Sequence, residues 1–177
     1  YDEMKAVVDG AKVWGSEVAA HAHGASGIRE AIRAGVGTIE HASLLDDEGI
    51  RLAKQHGAWL SMDIYNTDYT QSEGKKNGVL EDNLRKDREL ADIQRENFRR
   101  AHQAGVKMVF GADAGIFPHG ENAKQFATMV RYGMTPTQAI QSATINAAEA
   151  LGRSDLGVIE TGRVADLVAV RGNPVQD

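Results

Sequence analysis

Residues 18–27 read VAAHAHGASG, and the reading of this stretch decides the fold. A run of small, strand-compatible residues ends on two histidines spaced i, i+2. The chain then passes into glycine, alanine and serine, where a helix must begin. Two imidazoles at a strand end either fill space in a core or face a metal at the mouth of a sheet or barrel. Period-two alternation puts His21 and His23 on one side of the strand, so alternation does not choose between them.

The same order recurs on both sides of this stretch. Upstream, Met4, Val7, Val8, Ala11 and Trp14 fall at helical spacing, and Gly15 ends the run. Downstream, a helix is predicted over residues 26–34 with Gly35 as its stop, then a strand in GTIEHA, then a helix over 46–56 closed by Gly57. AWLSMDIY reads as a third strand. NTDYTQSEGKKNG, residues 66–78, is rich in turn formers and is predicted to be an irregular working loop. A charged helix over 81–104 follows, then a fourth strand in VKMVFGAD. Two further helices are predicted over 120–132 and 135–151, the second opened by Thr135 as cap and Pro136 at the first helical position. The tail from residue 153 switches to short β-type runs between glycines. Strands alternating with helices imply parallel pairing through right-handed crossovers, hence an α/β fold. Four such units make half of an eight-fold barrel, or the whole of an open doubly wound sheet.

Composition narrows the function classes. The 177 residues carry a net charge of −5, so no broad basic surface is available for nucleic acid or an anionic membrane. No apolar run is long enough to span a bilayer. The chain starts at Tyr1, which is not a translation start, so the compartment is left open. There is no cysteine, so any metal must be held by His, Asp, Glu or an unusual ligand.

Strong ligand types fall at the strand ends: His21 and His23 on the first, His41 on the second, Asp113 on the fourth. The carboxyl ends of parallel strands form the working face of barrels and open sheets alike. Imidazole and carboxylate from separate strands converge there, a donor set suited to a zinc-like divalent ion. His23, nearer the loop, is placed where substrate would lie, and His119 sits on the loop after Asp113. His56 and His102 lie at a helix end and within the charged helix, where a structural or solvated role is expected. Tyr65 ends the third strand, where its hydroxyl could serve a developing oxyanion or simply pack under the loop. Asp63 shares its face and could be a buried hydrogen-bonding partner.

The segments AAHAHG, TIEHAS, VFGADAGIFPHG and SATINAAEALG with LGVIETGRVADLVAV resemble, in that order, the C-terminal half of metal-dependent amidohydrolases. Among these the chain is most similar to the prolidase-like branch of dipeptidases and carboxypeptidases. The resemblance implies a distorted (β/α)8 barrel, of which residues 1–152 would supply strands five to eight. Residues 153–177 would begin a small β-sandwich beside it. It implies one or two divalent metal ions, Zn2+ first among them. His21 would be the strand-five ligand, His41 the strand-six ligand and Asp113 the strand-eight aspartate, which shuttles a proton from the activated hydroxide to the leaving amine. His23, Tyr65 and His119 would meet substrate or oxyanion.

The resemblance also implies ligands that this sequence does not contain: an HxH on strand one and a carboxylated lysine on strand four. Lys5 and Lys12 precede the strand within a helix and are poor substitutes. The expectation is therefore that the missing half of the barrel, from the same gene or a partner copy in a homo-oligomer, completes the centre. The 177 residues alone are expected to be inactive. Deaminases of the superfamily often place a Glu three residues after the strand-five histidine, whereas Gly24 stands here, which favours amide hydrolysis. The expected substrate is a small peptide or amide, of Xaa-Pro or Xaa-Arg/Lys type. Two other readings stay open: a cyclic-amide hydrolase of the imidazolonepropionase type, and a non-catalytic half-barrel that binds a partner.

Overall fold

The computed structural model describes residues 1–176. Helix α1 (Asp2–Val13) leads into β1 (Ala19–Ala22), α2 (Ala25–Ala34), β2 (Thr38–His41), α3 (Asp47–His56) and β3 (Trp59–Ser61). Then come α4 (Asn66–Glu73), α5 (Glu81–Gln103), β4 (Met108–Val109), a 3-10 turn (His119–Glu121), α6 (Lys124–Arg131), α7 (Pro136–Ser142) and α8 (Ile145–Ala150). The four strands pair in chain order, each parallel to the last. This is four consecutive β/α units of a barrel, an α/β half-barrel with β1 and β4 at its open edges.

The core lies between the sheet and the helices. Ala20, Ala22, Ile39 and Leu60 face the helices, where Ile28, Ile32, Leu52, Ala53, Phe98 and Ala101 meet them. The helical stops lie where their glycines stand: Gly35 and Gly57 take left-handed φ values of 95° and 70°, which a side chain disfavours. Thr135 opens α7 with a reciprocal capping box, accepting from the Gln138 amide at 3.2 Å while Gln138 Oε1 accepts from Thr135 N at 2.9 Å.

Three expectations are corrected. Residues 66–73 form a helix rather than an irregular loop. The turn formers Gly74, Asn77 and Gly78 all follow it, and polar bridges tie it to α5. Thr67 Oγ1 donates to Asp87 (2.9 Å), Gln71 Nε2 donates to the Leu84 carbonyl (3.0 Å), and Arg95 binds Asp68 at 2.5 Å. Tertiary contacts override weak local propensity here. Next, the helix predicted over 135–151 breaks at Thr144, whose φ and ψ are −122° and −96°. The Ser142 carbonyl freed at the break accepts from Phe110 N, just past β4, at 3.0 Å, and beyond the break the Asn146 side chain donates through Nδ2 to Met108 O of β4 at 3.1 Å. Third, the helix predicted over 120–132 begins only at Lys124, after the 3-10 turn. Residues 153–176 carry turns and irregular segments, with no strand among them. Ile159 and Val168 are exposed there.

Candidate metal centre

The ends of all four strands and the loops beyond them bring the polar residues together. In β1, Ala20 and Ala22 turn to the helices, which sends His21 to the opposite, concave face. His41 should not follow it. The register pairs Ala22 with His41 and His21 with Glu40, so a regular pleat would aim His41 at the helices. The chain departs from the pleat at this point: His41 and Ala42 have φ of 68° and 49°. Left-handed backbone costs a residue with a Cβ about 1–2 kcal/mol, so it must be held in place. Gln94 Nε2 donates to the His41 carbonyl at 3.3 Å, and Asn97 Nδ2 donates to the Ser43 carbonyl at 2.9 Å. Both amides are buried on α5 and act as clamps on the turn.

With the turn so held, the rings of His21, His23 and His41 meet with centroids 4.5–4.7 Å apart. One ligand nitrogen from each lies within 4.8 Å of the others. A second group, sharing His41, joins it to Asp63 and Asp113 within the same distance. Asp113 also has a left-handed backbone, with φ of 47°. His21, His23 and Asp113 are exposed, His41 is half-buried and Asp63 is buried. Beside β1 opens a cleft of about 470 Å³, walled by Met4, Val7, Val18 and Ala20 together with His21 and His23.

Asp63 organises the centre. Its Oδ1 lies 2.9 Å from His41 Nδ1 and accepts from Gln94 Nε2 at 3.2 Å. Burial alone would raise its pKa, but hydrogen bonds from His41 and Asn66 hold it below the ordinary carboxylate value. As an ionised carboxylate it only accepts, so Nδ1 of His41 must carry the proton, which leaves Nε2 for a metal. The hydrogen bond to Asp63 raises the His41 pKa against the opposing effect of burial. His23 moves the other way: burial first, then the neighbouring His41 and His21, lower its pKa. A neutral His23 shares a 2.9 Å hydrogen bond with Ser43 Oγ through Nδ1.

The remaining predicted residues stand apart from this cluster. The Tyr65 hydroxyl donates to Glu121 Oε2 at 3.2 Å, and its ring meets Phe117 edge-on at 5.2 Å. Lys124 lies over that ring and bonds the same Glu121. His119 is exposed at the start of the 3-10 turn. Three residues of the cluster were not among the candidates read from the sequence: Ser43, Gln94 and Asn66. Only Gln94 left a signal. It stands in step with Ala91, Phe98 and Ala101 on the buried stripe of α5, where a polar side chain needs a polar partner.

The donor set of imidazoles and carboxylates, with one histidine oriented by a buried aspartate, fits a divalent ion of the zinc type. The Amidohydrolase family model matches residues 1–177. Ochratoxinase of Aspergillus niger is 33% identical over 180 residues, covering 99% of this chain and 37% of its own length. A crystal structure of a Xaa-Pro dipeptidase with methionine bound in the active site superimposes with a TM-score of 0.92 at 41% identity, over 99% of this chain and 44% of that one. A prolidase complexed with N-methylphosphonate-L-proline matches with a TM-score of 0.91 at 34% identity, over 99% and 43%. The chain thus spans less than half the length of these relatives.

Proposed function

Because the chain belongs to the amidohydrolase family, we propose that the complete protein is a metal-dependent hydrolase of open-chain peptide or amide bonds, a dipeptidase or carboxypeptidase. The observation that carries this reading is the pair of ligand groups that meet at His41, His21 and His23 on one side and Asp63 and Asp113 on the other, at the carboxyl ends of parallel strands, with Asp63 orienting His41. A divalent ion held there by His21, His41 and Asp113 would supply a nucleophilic water at neutral pH and polarise the scissile carbonyl.

The protein's own residues do the rest. Asp113 is exposed at the cluster, where its carboxylate can take a proton from the attacking water and hand it to the departing amine. Asp63 fixes His41 in the tautomer that presents Nε2. His23, whose pKa is lowered by burial and then by its two neighbouring histidines, holds the oxyanion or the substrate carboxylate. Tyr65 and His119 sit on the rim as substrate contacts, Tyr65 with its hydroxyl on Glu121. Residues 153–177 belong, on this reading, to the small β-sandwich, and the other half of the barrel supplies the remaining ligands. The exposed edge of β1 and the apolar cleft beside it support such a partner.

A substrate panel tests the reaction class. With the complete protein, Xaa-Pro and Xaa-Arg/Lys dipeptides and N-acyl amino acids are expected to be hydrolysed, and lactams left untouched. Turnover of lactams alone would move the assignment to a cyclic-amide hydrolase.

A further inference from the structure

Asn66, the first residue of α4, touches both carboxylates of the centre. Its Nδ2 lies 3.0 Å from Asp63 Oδ2 and 3.4 Å from Asp113 Oδ2. Turning the amide over would place its oxygen against two groups that only accept, so the nitrogen must face them. An amide nitrogen carries two hydrogens, one for each carboxylate. The cost of this orientation is visible at the other end, where Asn66 Oδ1 is buried without a hydrogen-bond partner. A buried acceptor left unmade needs an explanation, and the two carboxylates on Nδ2 supply one.

The result is a continuous polar chain across the sheet. His41, ending β2, donates to Asp63 beyond β3; Asn66 donates to Asp63 and to Asp113 beyond β4. Asn66 is itself well anchored: its backbone N donates to Asp63 O at 3.2 Å, and the adjacent Thr67 ties the first turn of α4 to Asp87 of α5.

We propose that Asn66 is a positioning residue that aims the Asp113 carboxylate, occupying Oδ2 so that Oδ1 is left for metal and proton, while completing the acceptor shell of the aspartate that orients His41. The proposal rests on the reading of Asp113 as ligand and proton carrier. A residue that merely fills space would tolerate an isosteric neighbour, whereas a donor would not. Asn66→Asp keeps the shape but sets a third carboxylate against two others. Asn66→Ala removes the donor, and Asn66→Ser retains one in a shorter side chain.

The test uses the complete protein, with Zn2+ affinity measured by competition with a chromogenic chelator alongside kcat and KM. Asn66→Ala is expected to lose about 10–100-fold in Zn2+ affinity and in kcat, in the range of lost outer partners of metal ligands. Asn66→Asp should be worse than Asn66→Ala in both, and Asn66→Ser better. If Asn66→Ala fails to fold, the order of Asp below Ser decides the matter. Wild-type-like affinity and kcat in Asn66→Ala, or Asn66→Asp nearer to wild type than Asn66→Ala, would overturn the role while leaving the hydrolase reading in place. A wild-type protein with neither bound metal nor turnover would overturn both.

Discussion

Asp113→Asn in the complete protein is expected to cut turnover by roughly 10²–10⁴-fold, the usual worth of a positioned acid–base group. The variant should fold normally. Asp113 is exposed and lies on a loop past β4, and among the described residues its side chain accepts one hydrogen bond, from Asn66, long at 3.4 Å. An asparagine has the same shape and can keep that bond through its carbonyl. What it loses is the negative charge and the ability to accept and return a proton. The left-handed φ of 47° at this position also suits asparagine, so the backbone need not move. An unchanged melting temperature with turnover near zero is the expected pair of results, and near wild-type turnover would remove Asp113 from the mechanism.

The second large effect belongs to Asp63. Three donors converge on its carboxylate: His41 Nδ1, Gln94 Nε2 and Asn66 Nδ2. Asp63→Ala would leave His41 Nδ1 unpaired, at about 1–3 kcal/mol, and Gln94 and Asn66 with only their long bonds to His41 O and Asp113 Oδ2, so this variant should be destabilised. Asp63→Asn is the informative change. Its carbonyl can still accept from His41 and Gln94, but its amide nitrogen then meets the amide nitrogen of Asn66, donor against donor. Metal affinity should fall about 10–100-fold.

The pH dependence gives a second readout with a definite sign. A ligand histidine must be neutral, so protons compete with metal, and affinity falls as pH drops through the pKa of His41. Asp63 raises that pKa, so in the wild type the fall begins above the ordinary imidazole value of about 6.5. In Asp63→Asn the raising charge is gone, and the acid edge of Zn2+ binding should move to lower pH even as the plateau affinity drops. An acid edge that stays in place would show that Asp63 does not act on His41.

Strand ends were the legible part of this sequence. Small residues before His21, and glycine stops after each helix, set the β/α alternation, and three of the ligand-type residues fall where that alternation predicts a rim. What escaped the sequence is the geometry that makes them meet. Counting by twos sends His41 to the wrong side of the sheet, and only the left-handed turn at His41 and Ala42 brings it to His21. That turn is stabilised from a distance of more than 50 residues, by Gln94 and Asn97 on α5, and no local pattern announces such a clamp. Asp63 could be weighed as a buried partner because it sits among the hydrophobic residues of a strand end. Asn66 could not, because it opens a polar stretch whose helical form depends on α5. The C-terminal runs show the converse case: β-type residues at 164–170 remain without strand structure, because strands are made by partners rather than by composition.

The central claim is that these residues form half of a metal centre, and the metal content of the purified complete protein tests it most directly. Inductively coupled plasma mass spectrometry should find at least one zinc-like divalent ion per chain. His21→Ala and His41→Ala should each deplete it, and chelation should abolish hydrolysis until metal is restored. A protein that carries no such ion, and whose hydrolysis neither needs nor responds to added metal, would contradict the account and favour a half-barrel that only binds.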